Sequence, residues 1–279
     1  MSVAFLDSDD AWHPDKLAQH VAHLEGHPEV GISFSRSSFM DADGHSTGYY
    51  QMPKLTNIDV AHCLCRNPVG NGSAPVIRRE ALEAICYQDD RYGVMEKRYF
   101  DEDLRQSEDI ECWLRLLIMT PYRMEGLSDA LTYYRLNAGG LSAQLHRQYA
   151  SWEAMLAKIQ RLAPDIVERW ERPARAYQLR YLSRQAIRLK DGKTAVFFMH
   201  RALATSWFIL RAETSRTVST LVAAYLLYGL PQPLYRAVEG LAHKVVRVLQ
   251  RRLIRRDSAK TVTGDAAVAH DLSSHAAQG

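Results

Sequence analysis

The chain lacks the sequence features of disulfide-rich, zinc-binding and membrane-spanning proteins. Its 279 residues include four cysteines, Cys63, Cys65, Cys86 and Cys112, whose spacing matches no zinc motif and no disulfide framework. We interpret them as buried or chemically idle thiols in a reducing cytosol.

Long apolar runs are also missing. The best candidate, residues 220–228, ends at Gly229, well short of the ~20 residues that a transmembrane helix requires. Met1 leads into an apolar run and acids, without the basic region and apolar helix of a signal peptide. The sequence therefore predicts a cytoplasmic protein that is soluble or peripheral on the inner face of the membrane.

Charge is balanced overall but uneven along the chain. The formal net charge is +3, and basic residues concentrate toward the C-terminus. They lack interleaved aromatic side chains and belong to no recognisable nucleic-acid-binding module, so we expect no nucleic-acid partner.

The chain divides into three regions that differ in composition and in the periodicity of their apolar residues. Residues 1–146 mix short apolar runs with turns, which is typical of an α/β domain. Residues 147–256 predict one helix after another, with Pro173 read as a turn and Asp191-Gly192 as the turn of a helical hairpin. Residues 257–279 have no periodic apolar face and predict a disordered tail.

Within the first region, the pattern predicts strands at 3–6, 30–34 and 75–77, with further short strands at Met124 and 131–134. It predicts helices from Pro14, with an apolar side formed by Leu17, Val21 and Leu24, and at about 79–86. We expect the Ser107 hydroxyl to cap a third helix by accepting from its free first-turn amides.

Three carboxylates follow the first apolar run at once: Asp7, Asp9 and Asp10. A strand that continues to this point would direct side chains 7 and 9 to one side of the sheet. Paired carboxylates repel unless a cation lies between them, and Mg²⁺ or Mn²⁺ suits such oxygen ligands. That cation would hold an anionic substrate such as a diphosphate. Alternatively, the aspartates form an acidic turn that caps the helix opening at Pro14.

Two other families fit poorly. An EF-hand loop needs glycine and glutamate at the places occupied by Trp12 and Ala18. Phosphatases with an aspartyl nucleophile also begin with an apolar strand and Asp-x-Asp, but they expect Thr or Val in place of Ala11.

Four segments in one order give a more specific indication. The first carries Asp-x-Asp and then Trp12, Pro14 and Lys16, and together the segments closely resemble the signatures of family 2 inverting glycosyltransferases with the GT-A fold. They are residues 5–17, residues 71–79, residues 100–102 with 107–116, and residues 134–137 with 141–142.

The resemblance implies a role for each matching acid. Asp7 would contact the ribose or base of a nucleotide-sugar donor, and Asp9 would ligate a divalent metal, Mg²⁺ or Mn²⁺, on its diphosphate. Asp109 would act as general base toward the acceptor hydroxyl, supported by Glu108. Acids also favour the first turn of any helix, so a purely structural role for Glu108 and Asp109 stays open.

Three further positions have two interpretations each. Trp12 and Arg135 are donor-binding candidates and Ser73 is an acceptor-binding candidate, but each also suits a structural role. Asn137 stands where some relatives carry a histidine, which argues against a third protein ligand for the metal.

The resemblance also implies that the first strands of the GT-A domain, which bind the nucleobase, are absent from residues 1–146. A basic amphipathic helix at 234–256 adds a possible membrane contact. We therefore expect either a transferase that moves a sugar to a glycan or lipid-linked acceptor, or an inactive fragment that serves as a membrane- or protein-association module.

Overall fold

The computed structural model describes residues 1–136, 144–240, 246, 248–250, 252–254 and 257. The strands are β1 (Ser2–Ala4), β2 (Ala11–Trp12), β3 (Val30–Met40), β4 (Ser46–Tyr50), β5 (Val76–Arg78), β6 (Tyr87–Asp89), β7 (Glu96–Arg98) and β8 (Arg123–Arg135). The helices are α1 (Lys16–Gly26), α2 (Val60–Cys65), α3 (Arg79–Glu83), α4 (Glu108–Met119), α5 (Leu145–Leu162), α6 (Pro164–Arg188), α7 (Gly192–Thr205), α8 (Phe208–Ala212) and α9 (Thr214–Gly229). Residues 232–240 are helical as well.

The main sheet is built on the parallel pair β3 and β8. Their register runs from Val30 opposite Arg123 to Met40 opposite Arg135. The strand order is β1-β5-β3-β8-β2, with β4 also paired to β3, and every pairing other than β3 with β8 is antiparallel. Helices cover the sheet, so β3 is buried along nearly its whole length. This mixed α/β sheet is compatible with the predicted Rossmann-like domain.

The first strand ends earlier than predicted. β1 stops at Ala4, opposite Val76, because the next partner would be Pro75, which has no N–H to donate. Asp7 to Asp10 instead form a turn closed by the Asp10 N–H, which donates to the Asp7 carbonyl at 3.1 Å. The prediction that strand alternation directs side chains 7 and 9 was therefore wrong.

Helix α1 also differs from its prediction. It begins at Lys16, and its N-cap residue Asp15 makes no side-chain capping bond. Leu17 and Val21 are 47% and 40% exposed, whereas the buried side is formed by Lys16, His20 and Leu24. Polar residues lie inside here because the sheet and the loop beside it supply hydrogen-bond partners for them.

Ser107 does not cap α4 with its hydroxyl. Its backbone is left-handed, with φ of 71°, and its side chain makes no capping bond. A left-handed serine costs about 1–2 kcal/mol. This strain is located directly before Glu108 and Asp109.

The bounds of other strands and helices differ from the predictions without changing the overall fold. β3 extends to Met40, the two short strands predicted near the end of the domain are the single strand β8, and α3 ends at Glu83. The helical hairpin across Asp191-Gly192 is confirmed by α6 and α7, but Pro173 lies inside α6 rather than in a turn.

The helices pack into two apolar clusters. The α/β core includes Trp152 and Met155 of α5 and reaches Ala174 of α6, while the second cluster joins the rest of α6 to α7, α8 and α9. The domain boundary at 146/147 stays a prediction, and apart from Asp257 the predicted tail lies outside the described residues. Among the helices that the structure describes, none combines the length and apolarity needed to cross a bilayer.

We predict that Gly192→Ala destabilises the helical region by about 1–3 kcal/mol. A Cβ at Gly192 would lie 2.7 Å from the backbone nitrogen of Tyr228, so α7 and α9 would have to separate. Urea unfolding measures the loss. Gly229→Ala is the matched control, since nothing lies within 4 Å of its Cβ, and equal midpoints for the two variants would contradict the prediction.

Candidate active site

The four segments singled out in the sequence meet in space. The Phe5 ring packs edge-on against Phe100 at 5.3 Å, and Phe100 packs in the same way against Trp113 at 6.1 Å. These contacts join the first segment to the third. The second and fourth segments are joined to the first by hydrogen bonds to its acidic turn, residues 7–10.

Ser73 holds the acidic turn in place. Its hydroxyl is fully buried, accepts from the Asp7 N–H at 3.0 Å and donates to Asp10 Oδ2 at 2.7 Å. Asp10 Oδ1 accepts from the Arg135 backbone N–H at 2.9 Å. Both carboxylate oxygens of Asp10 therefore stabilise the turn, whereas Asp7 and Asp9 are exposed to solvent.

Glycine leaves room for the Asp7 carboxylate. A Cβ at Gly72 would lie 3.3 Å from Asp7 Oδ2, so a larger residue would crowd the carboxylate. Within the described part of the chain, this carboxylate makes no hydrogen bond or ion pair.

Asp109 is fixed at the start of α4. Its Oδ2 accepts from Asn67 Nδ2 at 2.6 Å, and its Oδ1 accepts from the Ile110 N–H at 2.7 Å. Burial raises the pKa of Asp109, and the charge of Asp7 raises it further, so these two carboxylates interact.

Glu108 belongs to the same group. Burial raises its pKa, with Asp109 and Asp7 adding to the effect. Its Oε2 is buried and has no hydrogen-bond partner among the described residues. An unpartnered buried carboxylate oxygen is costly, and it is expected where a ligand or a proton supplies the missing interaction.

This arrangement fits two kinds of chemistry. The charge of Asp7 adds to the effect of burial in raising the pKa of Glu108 and Asp109, and hard oxygen ligands of this type suit Mg²⁺ or Mn²⁺. A carboxylate with a raised pKa also suits proton transfer near neutral pH. Asp7 and Asp9 offer the exposed oxygens for the first, and Asp109 offers a positioned oxygen for the second.

The predicted binding residues have structural contacts. Arg135 Nε donates to the Asp9 carbonyl at 2.8 Å, and its Nη1 donates to the carbonyls of Asp41 and Ala42. Trp12 Nε1 donates to the Ser73 carbonyl at 2.8 Å. Both residues thus brace the acidic turn, and their donor-binding roles stay predictions, as does acceptor binding by Ser73.

Sequence reasoning missed two residues of the site. Asn67 was overlooked, although its Asn-Pro step marks a turn, and its Oδ1 accepts from the backbone of Val69 and Gly70. Tyr134 lies in the fourth segment, and no role was predicted for it. Burial raises its pKa to about 12, with Tyr181 and the aspartates of the acidic turn contributing. Asn137, Leu141 and Ser142 lie outside the described residues.

A second acidic group lies on the other side of Arg135, whose Nη1 donates to the Asp41 carbonyl. Asp41, Asp43 and His45 offer ligand atoms within 4.8 Å of one another, but all three are exposed on the turn between β3 and β4. Exposed groups of this kind are common without a metal, and we assign none to it.

Comparisons with known proteins find similarity to glycosyltransferases. The chain is 27% identical over 158 residues, covering 56% of this chain, to the Escherichia coli UDP-Glc:alpha-D-GlcNAc-diphosphoundecaprenol beta-1,3-glucosyltransferase WfaP. It is 23% identical over 159 residues, again 56% of the chain, to the amylovoran biosynthesis glycosyltransferase AmsE of Erwinia amylovora. An uncharacterized glycosyltransferase of Methanocaldococcus jannaschii is 21% identical over 134 residues, or 48% of the chain.

These similarities support a glycosyltransferase. The chain spans about half the length of the curated relatives that it matches, with 54%, 53% and 41% of their lengths covered. No protein-family model matches the chain.

We predict that Glu108→Gln stabilises the protein at neutral pH. The raised pKa of Glu108 means that the folded state disfavours its ionised form, so stability falls as the pH rises from the ordinary glutamate pKa through the folded one. Glutamine does not ionise, so the variant keeps this stability. We expect its free energy of unfolding to be higher by on the order of 1 kcal/mol at pH 7.5. At a pH below both values, where glutamate is protonated in either state, the gain should disappear.

Urea unfolding at several pH values checks this. Glu102→Gln, a change of the same type at an exposed position, is the control. A Glu108→Gln variant that is less stable than the native protein at pH 7.5 would contradict the prediction.

Proposed function

We propose that the chain carries the catalytic acids of an inverting glycosyltransferase that uses a nucleotide-sugar. The observation that supports this most is the interaction of Asp7, on the acidic turn, with Glu108 and Asp109 at the start of α4. Two acidic groups with distinct surroundings suit two tasks, donor binding and proton removal.

Asp109 is the proposed general base. Its hydrogen bonds to Asn67 and to the Ile110 amide hold the carboxylate in place at the start of α4. It would take the proton of the acceptor hydroxyl as that oxygen attacks the anomeric carbon. Glu108 has no hydrogen-bond partner for its buried Oε2 among the described residues, and it would support Asp109 through the electrostatic interaction of the two carboxyl groups.

The exposed side of the acidic turn is the proposed donor site. Asp7 would bind the ribose or base, and Asp9 would ligate Mg²⁺ or Mn²⁺. When bound there, the divalent ion supplies Lewis-acid stabilisation of the departing diphosphate. Ser73 and Arg135 hold the backbone of the turn, so the carboxylates need little reorganisation when the donor arrives.

The reaction is a single displacement. The bond from the acceptor oxygen to the anomeric carbon forms as the bond to the diphosphate breaks, and the hydroxyl proton goes to Asp109. Attack from the face opposite the leaving group inverts the anomeric centre, and no sugar–enzyme bond is needed.

The proposed acceptor is a lipid-linked or nascent surface glycan. The name of WfaP describes transfer to a diphosphoundecaprenol-linked sugar, and that of AmsE describes amylovoran biosynthesis. An acceptor of this kind lies at a membrane, so peripheral attachment of the enzyme would raise its local concentration.

The C-terminal segment is the proposed site of that attachment. Its side chains Leu234, Val248, Leu249 and Leu253 are about half exposed, while Leu241 and Val245 lie outside the described residues. Gln250 exchanges two hydrogen bonds of 3.2 Å with the backbone of Tyr50 on β4. One side of the segment is therefore docked on the sheet, which leaves its exposed apolar side chains free for lipid.

We predict that Asp9→Ala and Asp109→Asn fail at different steps. Asp9→Ala should lose Mn²⁺-dependent binding of the donor, because it removes a ligand. Asp109→Asn should still bind donor but transfer sugar at least roughly 10²-fold more slowly, because the base is gone. Calorimetry with Mn²⁺ and nucleotide-sugars and a radiolabelled transfer assay measure the two steps.

The control is Asp15→Ala, which removes a nearby exposed carboxylate outside the acidic turn. Unchanged Mn²⁺ affinity in Asp9→Ala would discard the metal assignment, and retained transfer in Asp109→Asn would move the base to Glu108. The assay should use this chain and also the product of the longest reading frame that contains it. If neither turns over any nucleotide-sugar, the association-module alternative replaces the enzyme.

We predict that the protein floats with anionic liposomes at low salt and that changing Arg251, Arg252, Arg255 and Arg256 to Gln weakens binding roughly a hundredfold or more. Each basic residue near an anionic surface contributes about 1 kcal/mol. Of these four, only Arg252 is among the described residues.

The matched control changes four exposed arginines elsewhere, Arg79, Arg147, Arg161 and Arg169, to Gln and so removes the same charge. A native protein that stays off anionic vesicles, or equal losses in the two variants, would show that this segment is not the membrane contact.

A further inference from the structure

The buried side of α1 carries a lysine and a histidine with no exposed surface. Lys16 and His20 are both 0% exposed, and His20 contacts Ser33 of β3, which is also fully buried. A fully buried lysine is rare unless its amino group is hydrogen-bonded. Lys16 Nζ meets that condition by donating to the Ala74 carbonyl at 2.6 Å.

A chain of contacts leads away from Lys16 along the interior. Its Nζ lies 3.2 Å from His20 Nε2, and His20 Nδ1 lies 2.7 Å from the Ser33 hydroxyl. The same hydroxyl lies 2.8 Å from His23 Nδ1, and His23 Nε2 faces Glu125 Oε2 at 3.7 Å.

One assignment of the hydrogens suits all these distances. With the hydrogen of His23 on Nε2, toward the Glu125 carboxylate, its Nδ1 accepts from Ser33. Ser33 in turn accepts from His20 Nδ1, and His20 Nε2 accepts from Lys16. In this arrangement both histidines are neutral.

The pKa values are consistent with that arrangement. Burial lowers the pKa of His20 to about 2, with the charges of Lys16 and His23 adding to the effect, so His20 stays neutral. Burial also lowers the pKa of Lys16 to about 7. Whether charged or neutral, its amino group can donate to the Ala74 carbonyl.

The other end of the chain of contacts lies under the candidate site. Ala74 follows Ser73, whose hydroxyl bonds Asp7 and Asp10 and whose carbonyl accepts from Trp12. Lys16 Nζ also lies 5.6 Å from the centre of the Trp12 ring. The loop that holds the acidic turn is thus held from inside by Lys16.

We propose that Lys16 is a positioning residue of the candidate site: by holding the Ala74 carbonyl from the interior, it keeps Ser73 in place beneath Asp7 and Asp10. Its effect on metal and donor binding rests on the proposed function. Its effect on the geometry of the acidic turn does not.

The experiment follows the indole N–H of Trp12, which donates to the Ser73 carbonyl, by nuclear magnetic resonance. The protein is labelled with ¹⁵N-tryptophan. The chain has five tryptophans, so four indoles serve as internal references. In Lys16→Met we expect the Trp12 signal to move and its hydrogen exchange to become roughly tenfold faster, about the loss of one hydrogen bond. The other four signals should keep their positions. Lys193→Met, the same change on the surface of α7, is the matched control and should move none.

An unchanged Trp12 signal in Lys16→Met would overturn the proposal. Movement of all five signals would also overturn it, because Lys16 would then support the fold in general. If Lys16→Met does not fold, two other variants decide. Lys16→Arg keeps a long donor and should preserve the Trp12 signal, whereas Lys16→Gln is too short to reach Ala74 and should disturb it. The opposite pattern would contradict the proposal.

Titration with Mn²⁺ alone connects this geometry to function. Lys16→Met should bind Mn²⁺ roughly tenfold more weakly than the native protein, again equivalent to one hydrogen bond. If the native protein binds no Mn²⁺, the metal assignment of the proposed function fails, and the Trp12 signal alone decides the role of Lys16. Equal Mn²⁺ affinity in the two proteins, together with an altered Trp12 signal, would show that Lys16 positions Trp12 without positioning the carboxylates, and would overturn the proposal.

Discussion

The buried hydroxyl of Ser73 is the contact on which the candidate site depends. It joins two segments more than sixty residues apart by accepting from the Asp7 amide and donating to Asp10. Asp10 then holds the backbone of Arg135 at the end of the sheet. Three stretches of chain are thereby held around one turn, so the position of Asp7 and Asp9 depends on the whole domain rather than on local preference.

The same turn brings the Asp7 charge close to two half-buried acids of α4. Burial raises the pKa of both Glu108 and Asp109, the Asp7 charge raises both further, and Glu108 Oε2 has no hydrogen-bond partner among the described residues. The left-handed backbone of Ser107 adds strain directly before them. Repulsion, desolvation and strain all oppose folding, and their collection at one place is typical of a site in which a ligand or a transferred proton provides compensation.

The helical half packs against the α/β domain and also has an apolar core of its own. Side chains of α5 enter the apolar core of the α/β part, Glu213 before α9 pairs with Arg66 beside α2, and Gln250 bonds to the edge strand β4. The C-terminal segment is therefore attached to the domain through polar contacts, while Leu234, Val248, Leu249 and Leu253 stay about half exposed. This combination allows one segment to contact both the sheet and a lipid surface.

Much of this protein is determined by sequence pattern alone. Apolar runs and turn residues predicted most elements and the helical hairpin at Asp191-Gly192. The resemblance carried by four motifs assigned Asp7, Ser73, Asp109 and Arg135 to one site, and their roles there stay predictions. Local patterns failed where distant atoms decide. The end of β1 depends on Pro75 in its partner strand, and the buried side of α1 depends on acceptors supplied by Ala74 and Ser33. Hydrophobic periodicity therefore placed Leu17 and Val21 inside, whereas the tertiary structure buried Lys16 and His20, because hydrogen bonds from elsewhere in the chain offset the cost of removing them from water.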